Sequence, residues 1–151
     1  EKEPFHLVLL DNHPDNQEPA FGGVLSCGGW VKEAREKNPL LKDVLTIGPE
    51  GCPQTLDDDW IEARRGERVY VSLDKDVMDR AWARTDWSQG THTLEEVKDW
   101  LGRLLDGRLQ LAAIDICGET APAKGATPED LKVNLKTNKE LQEFILEQIC
   151  R

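Results

Sequence analysis

The stretch His6-Leu-Val-Leu-Leu-Asp11-Asn-His13-Pro-Asp15 decides the reading of this chain. Its first half is a compact apolar run, the pattern of a strand buried on both faces. Its second half sets an acid, an imidazole and another acid at every second residue, just where the apolar run stops. Alternate side chains of extended backbone point the same way, so these three are expected to converge. Pro14 biases His13 towards extended geometry. Strands that end in acids recur downstream. Arg68-Val-Tyr-Val-Ser-Leu73 runs into Asp74-Lys-Asp76, with Lys75 expected to point away, and a strand from Leu109 to Ile116 contains Asp115 and is followed by Glu119.

Helical patterns fill the gaps. A polar helix is expected over 30–37, stopped near Asn38-Pro39, and Val44 to Ile47 reads as another strand. Thr55 reads as the N-cap of a helix reaching about Arg65. Thr93-Leu-Glu-Glu96 is a capping box, followed by Leu94, Val97, Leu101, Leu104 and Leu105 at helical spacing. Thr137-Asn-Lys-Glu140 reads as a second capping box, opening a last helix with the stripe Leu141, Phe144, Ile145 and Ile149, while 124–128 reads as a loop. Strands alternating with helices imply an α/β fold, a three-layer α/β/α arrangement around a mainly parallel sheet. In such sheets ligands bind beyond the carboxyl ends of the strands, which is where the acids lie.

Composition narrows the partners. At 151 residues the chain is expected to be one domain. A net charge of -10 argues against nucleic acid, whose phosphates call for clustered Lys and Arg. No apolar run approaches the roughly 18 residues of a membrane span. Cys27, Cys52, Cys117 and Cys150 are far apart, which suits free thiols and a cytoplasmic location. The chain opens on Glu1-Lys-Glu-Pro4, without an initiator Met or the features of a signal peptide. We therefore expect 1–151 to be the C-terminal portion of a longer domain.

Several carboxylates on one rim repel one another unless a cation binds there. Asp11, His13, Asp15, Asp74 and Asp76 are thus the candidate metal ligands. Four carboxylates and an imidazole carry about four negative charges, which balances two divalent ions, and an oxygen-rich set with some nitrogen favours manganese over structural zinc.

The same residues carry a resemblance. Asp11-Asn-His-Pro-Asp15 resembles the Asp-x-His-x-Asp motif of the ureohydrolases (arginase, agmatinase, formiminoglutamase). Val71-Ser-Leu-Asp-Lys-Asp-Val-Met-Asp79 resembles their Ser-x-Asp-x-Asp-x-x-Asp motif, on a later strand as that family requires. The resemblance runs from the first strand to about Glu119. It implies the arginase/deacetylase fold and a binuclear Mn2+ hydrolase, in which a metal-bridging hydroxide attacks a guanidino or amidine carbon to release urea or a related product. By position, Asp11 and Asp74 would bridge the two ions, Asp15 would complete one shell, and His13 and Asp76 would bind the other ion. Asp76 would also hold the attacking group and carry its proton to the leaving nitrogen.

The chain departs from that pattern in several places. Nothing matches the family's earlier Gly-Gly-Asp-His ligand, and His6 lies about 16 Å from Asp11 along an extended strand. The loop that usually carries Ser-Gly-Asn and a proton-shuttling His reads Ser26-Cys-Gly-Gly-Trp30 here. Ser26 and Asn16 are candidate substrate contacts, with helix capping and turn closure as their structural alternatives. Glu119, one position late, is the candidate anchor for a guanidinium, against a solvated loop acid. Trp82 and Trp87 either wall a substrate pocket or pack in the core. His92 is either structural or a replacement shuttle. A small guanidino-type substrate and a homo-oligomer are the expected partners. The competing reading is a catalytically inactive arginase-like binding or assembly module with an incomplete metal site. A metallophosphoesterase lacks its later Gly-Asn-His-Asp/Glu signature here, and the deacetylases' paired histidines are not found.

Overall fold

The computed structural model describes residues 3–19, 23–49 and 54–150. Four strands, β1 (Phe5–Leu10), β2 (Leu41–Ile47), β3 (Arg68–Asp74) and β4 (Gln110–Cys117), form one sheet in the order β2-β1-β3-β4. Every pairing is parallel. All six residues of β1 are buried, as expected of a central strand covered on both faces.

Alternation along the strands sorts the core into two layers. Leu7, Leu9 and Val44 face α1 (Trp30–Lys37) through Val31. Val8, Leu10, Leu45, Val69, Val71 and Leu73 face the opposite layer. That layer is α2 (Asp58–Glu62), α3 (Leu94–Leu104) and α4 (Pro128–Ile149), through Ile61, through Leu94, Val97, Leu101 and Leu104, and through Leu141 and Ile145. Each such side chain contributes roughly 1.5–3 kcal/mol by leaving water, so the apolar periodicity of α3 suffices to seat it on the sheet. The result is an α/β/α arrangement around a parallel sheet. No helix among the described residues is long and apolar enough to cross a membrane.

Several boundaries differ from the sequence reading. Strand β2 begins at Leu41, ahead of the expected Val44, and β4 is shifted one residue on. Helix α2 is short and starts after Asp57, whose side chain accepts from the Trp60 amide, so Thr55 is not its cap. The capping box of the last helix belongs to Thr127 and Asp130, with Pro128 in the first turn. Thr137 sits inside that helix, buried, and its Oγ1 donates to the Trp82 carbonyl at 2.5 Å. Part of the expected 124–128 loop is a 3-10 turn, Pro122–Lys124. Cys27, Cys117 and Cys150 are free thiols; Cys52 lies outside the described residues.

The strand order has a functional consequence. The chain leaves β1 towards β2 on one side, and leaves β3 towards β4 on the other. The carboxyl ends of β1 and β3 therefore border the topological switch point, the crevice where ligands of open α/β sheets bind. Asp11 and Asp74 stand at those two ends.

Candidate metal centre

Asp11 and Asp74 each end a strand in the same way. The Asp11 Oδ1 accepts the His13 amide at 2.6 Å, and the Asp74 Oδ1 accepts the Asp76 amide at 2.9 Å. Each aspartate closes a turn onto the backbone two residues on. These turns, rather than extended alternation, bring the pairs together: β3 stops at Asp74, and Lys75–Val77 is a 3-10 turn. Glycine permits the close approach of neighbouring segments. Gly48 (φ +122) lies so near that an added Cβ would be 2.6 Å from the Asp11 carbonyl oxygen. Gly118 (φ +81) leaves room for the Asp74 carboxylate, which a Cβ there would meet at 1.9 Å.

The turns gather Asp11, His13 and Asp76 so that one donor atom from each lies within 4.8 Å of the others. His13 Nδ1 is 2.8 Å from Asp76 Oδ2 and 3.5 Å from Asp11 Oδ1. The other ring nitrogen is 2.9 Å from the Ser88 hydroxyl, and the Asn12 amide donates to Asp76 Oδ1 at 3.0 Å. Asp11 and Asp76 are almost wholly inaccessible, at 4% and 1%, while His13 keeps 32% of its side chain exposed. Beside them is a cavity of about 160 Å3 whose walls also include Asp15, Asp74, Ser26, Cys27 and Trp87.

Crowding leaves an electrostatic mark. Burial, and then the charge of Asp76, push Asp11 up to about 9. Burial also raises Asp76 and Asp15 above the usual carboxylate range. A divalent ion among these groups would offset the cost of crowding buried carboxylates together. Carboxylates and one imidazole are a donor set that can hold a divalent cation.

The remaining candidates divide. Trp87 is 55% exposed and stands at the cavity wall, whereas Trp82 packs against the main core. Ser26 lines the cavity and makes no side-chain cap. Asn16 is exposed and lies outside the lining. His92 borders an adjoining, larger cavity of about 810 Å3 that also reaches His13; it lies edge-on to Trp100 and 3.4 Å from Glu96.

Glu119 is not in the cavity lining. Its Oε1 meets the ammonium of Lys75 and accepts the Asn138 side-chain amide at 2.6 Å. Lys75 is not among the residues lining the cavity; it is fully buried and needs a counter-ion, which Glu119 supplies. Asp115 lies inside β4 and accepts from Tyr70 and Ser72 at 2.6 and 3.1 Å. Sequence reasoning missed Ser88, Asn12 and the Trp30 indole, which donates to Asp15 Oδ2 at 2.7 Å. In the sequence that loop stands out through Trp87, and the approach of Ser88 to His13 spans 75 residues of chain.

This geometry can be set beside known proteins. No family model matches the chain. It is 35% identical over 147 residues to an uncharacterised protein of Thermotoga maritima, covering 89% of this chain and 56% of that protein. The chain thus spans little more than half the length of that relative. Among solved structures, it is similar to proclavaminate amidino hydrolase of Streptomyces clavuligerus, with a TM-score of 0.72 and 24% identity over 97% of this chain and 56% of that one. It is also similar to the arginase of Helicobacter pylori, with a TM-score of 0.62 and 14% identity over 99% and 66%. The chain has the arginase-type α/β fold.

Proposed function

We propose that this chain carries the main metal-binding portion of a ureohydrolase, a binuclear manganese enzyme that cleaves a C–N bond of a small guanidino or amidino substrate. The observation that carries the proposal is the convergence of Asp11, His13 and Asp76 at the switch point of the sheet. An amidino hydrolase and an arginase share this fold. Asp11, His13, Asp15, Asp74 and Asp76 would hold the two ions. Bound there, the metal supplies Lewis-acid polarisation and acidifies water.

The chain's own residues do the positioning. Ser88 fixes the ring of His13, and the Asn12 amide occupies one oxygen of Asp76, leaving Oδ2 directed at the imidazole. Asp76, already raised by burial, is the group suited to take and return a proton at the reacting centre. The exposed indole of Trp87 offers a face on which a planar guanidinium can stack. Glu119 enters as the counter-ion of Lys75 rather than as the guanidinium anchor.

That commitment of Glu119, together with His13 being the one imidazole lining the cavity among the described residues, favours one alternative, an inactive binding or assembly module. Metal content and urea release separate the two readings. On the enzyme reading, the full-length protein takes up about two Mn2+ per chain and releases urea from one or more members of a guanidino-compound panel. Mn2+ uptake without urea from any of them would support the module, and no uptake would remove the metal site altogether.

A further inference from the structure

We propose that Trp30 is a positioning residue for the metal centre, holding Asp15 on the cavity through its indole N–H. This rests on the manganese reading above. Asp15 differs from the other acids of the cavity: Asp11 and Asp74 end strands, and Asp76 sits in the turn after one, but Asp15 comes from a loop. It is also the one non-glycine residue with positive φ among the described residues, at 46°. Such a conformation costs on the order of 1–3 kcal/mol and persists only where its surroundings fix it.

Three bonds fix it here. The Trp30 Nε1 donates to Asp15 Oδ2 at 2.7 Å, the Val31 amide to the Asp15 carbonyl at 3.1 Å, and the Gln17 amide to the Gly28 carbonyl at 2.9 Å. The loop after β1 is thereby clipped along the start of α1. Trp30 is itself oriented by packing, because its ring rests against the small core of Leu7, Leu9, Val31 and Val44. Its N–H engages one oxygen, Oδ2, of an acid that lines the cavity. The donor is neutral, so it orients the carboxylate without cancelling the charge that attracts a cation, as an Arg or Lys would.

The test uses the full-length protein, titrated with Mn2+ by calorimetry and with Co2+ by visible absorption. Trp30→Phe keeps an aromatic ring in the small core and deletes the donor, with some loss of ring volume that the second background controls for. It is expected to weaken Mn2+ binding 10- to 100-fold, the range for loss of an outer-shell hydrogen bond, and to alter the Co2+ spectrum. In an Asp15→Ala background the same change is expected to add no more than about twofold, because the bond is already gone. Wild-type affinity and spectrum in Trp30→Phe would overturn the proposal. So would an equal loss in the Asp15→Ala background, which would mean that Trp30 acts through general packing. Failure of the wild-type protein to bind Mn2+ would instead remove the metal reading itself, and this role with it.

Discussion

Strand β1 has a histidine near its start and another just beyond its end, and the two meet opposite electrostatics. At the start, His6 lies between Asp43 and Glu67, its Nε2 2.6 Å from Glu67 Oε2. Those acids also bind Arg64 and Lys42, each at 2.6 Å. Burial would raise Asp43, but the hydrogen bonds from His6 and Arg64 outweigh it and hold it low; His6 and Lys42 hold Glu67 down to about 2. At the far end, His13 stands among Asp11, Asp15, Asp74 and Asp76, and the nearest base, Lys75, is committed to Glu119. Asp11, Asp15 and Asp76 are pushed up there. Both clusters mix acids with an imidazole, yet one neutralises itself and the other lacks cations. Completeness of charge, rather than its presence, distinguishes a structural cluster from a ligand site.

The largest effect should come from unbalancing the far end. Asp76→Asn is expected to abolish measurable Mn2+ binding while raising the stability of the metal-free protein, since it removes one of the repelling carboxylates; calorimetry and thermal unfolding read the two effects. At the near end the response should invert. His6→Gln leaves Asp43 and Glu67 without their shared partner, and about 1–3 kcal/mol of stability should be lost in urea unfolding. Mn2+ affinity should stay unchanged.

A smaller contrast concerns the base beside the far end. Glu119→Gln leaves the Lys75 ammonium buried beside a neutral amide. It should cost about 1–2 kcal/mol, moderated because Glu119 is 43% exposed. Lys75→Met removes the buried charge and frees Glu119 to water, so unfolding should show little or no loss. Smallest is the acid limb. Glu67 is held from 4.5 down to about 2 in the folded chain, so its contribution is present above pH 4.5 and fades as pH falls through about 2. Glu67→Gln should remove that contribution above pH 4.5, flattening the acid limb in pH-dependent unfolding, and the two proteins should converge as pH falls towards about 2.

Strand β3, helix α1 and the Thr93 capping box are legible in the sequence because their determinants are local: apolar runs, a Thr three residues before a Glu, an Asn-Pro stop. The metal candidates are legible for the same reason, although the turn that brings His13 onto Asp11 is not the extended geometry their spacing suggests. Long-range partners are what sequence conceals. Thr137 and Thr127 both precede an acid by three residues, and only contact with Trp82 assigns Thr137 to the interior. Likewise Glu119 follows a strand as a substrate anchor would, and only a buried lysine 44 residues away redirects it.

The central claim is that the far end of β1 is a cation site and the near end is not. Mn2+ titration by calorimetry of the full-length protein, beside Asp76→Asn and Asp43→Asn, tests it directly. Saturable binding that disappears in Asp76→Asn and persists in Asp43→Asn is the expected result. Absence of binding in the wild-type protein, or binding that survives Asp76→Asn, would contradict it.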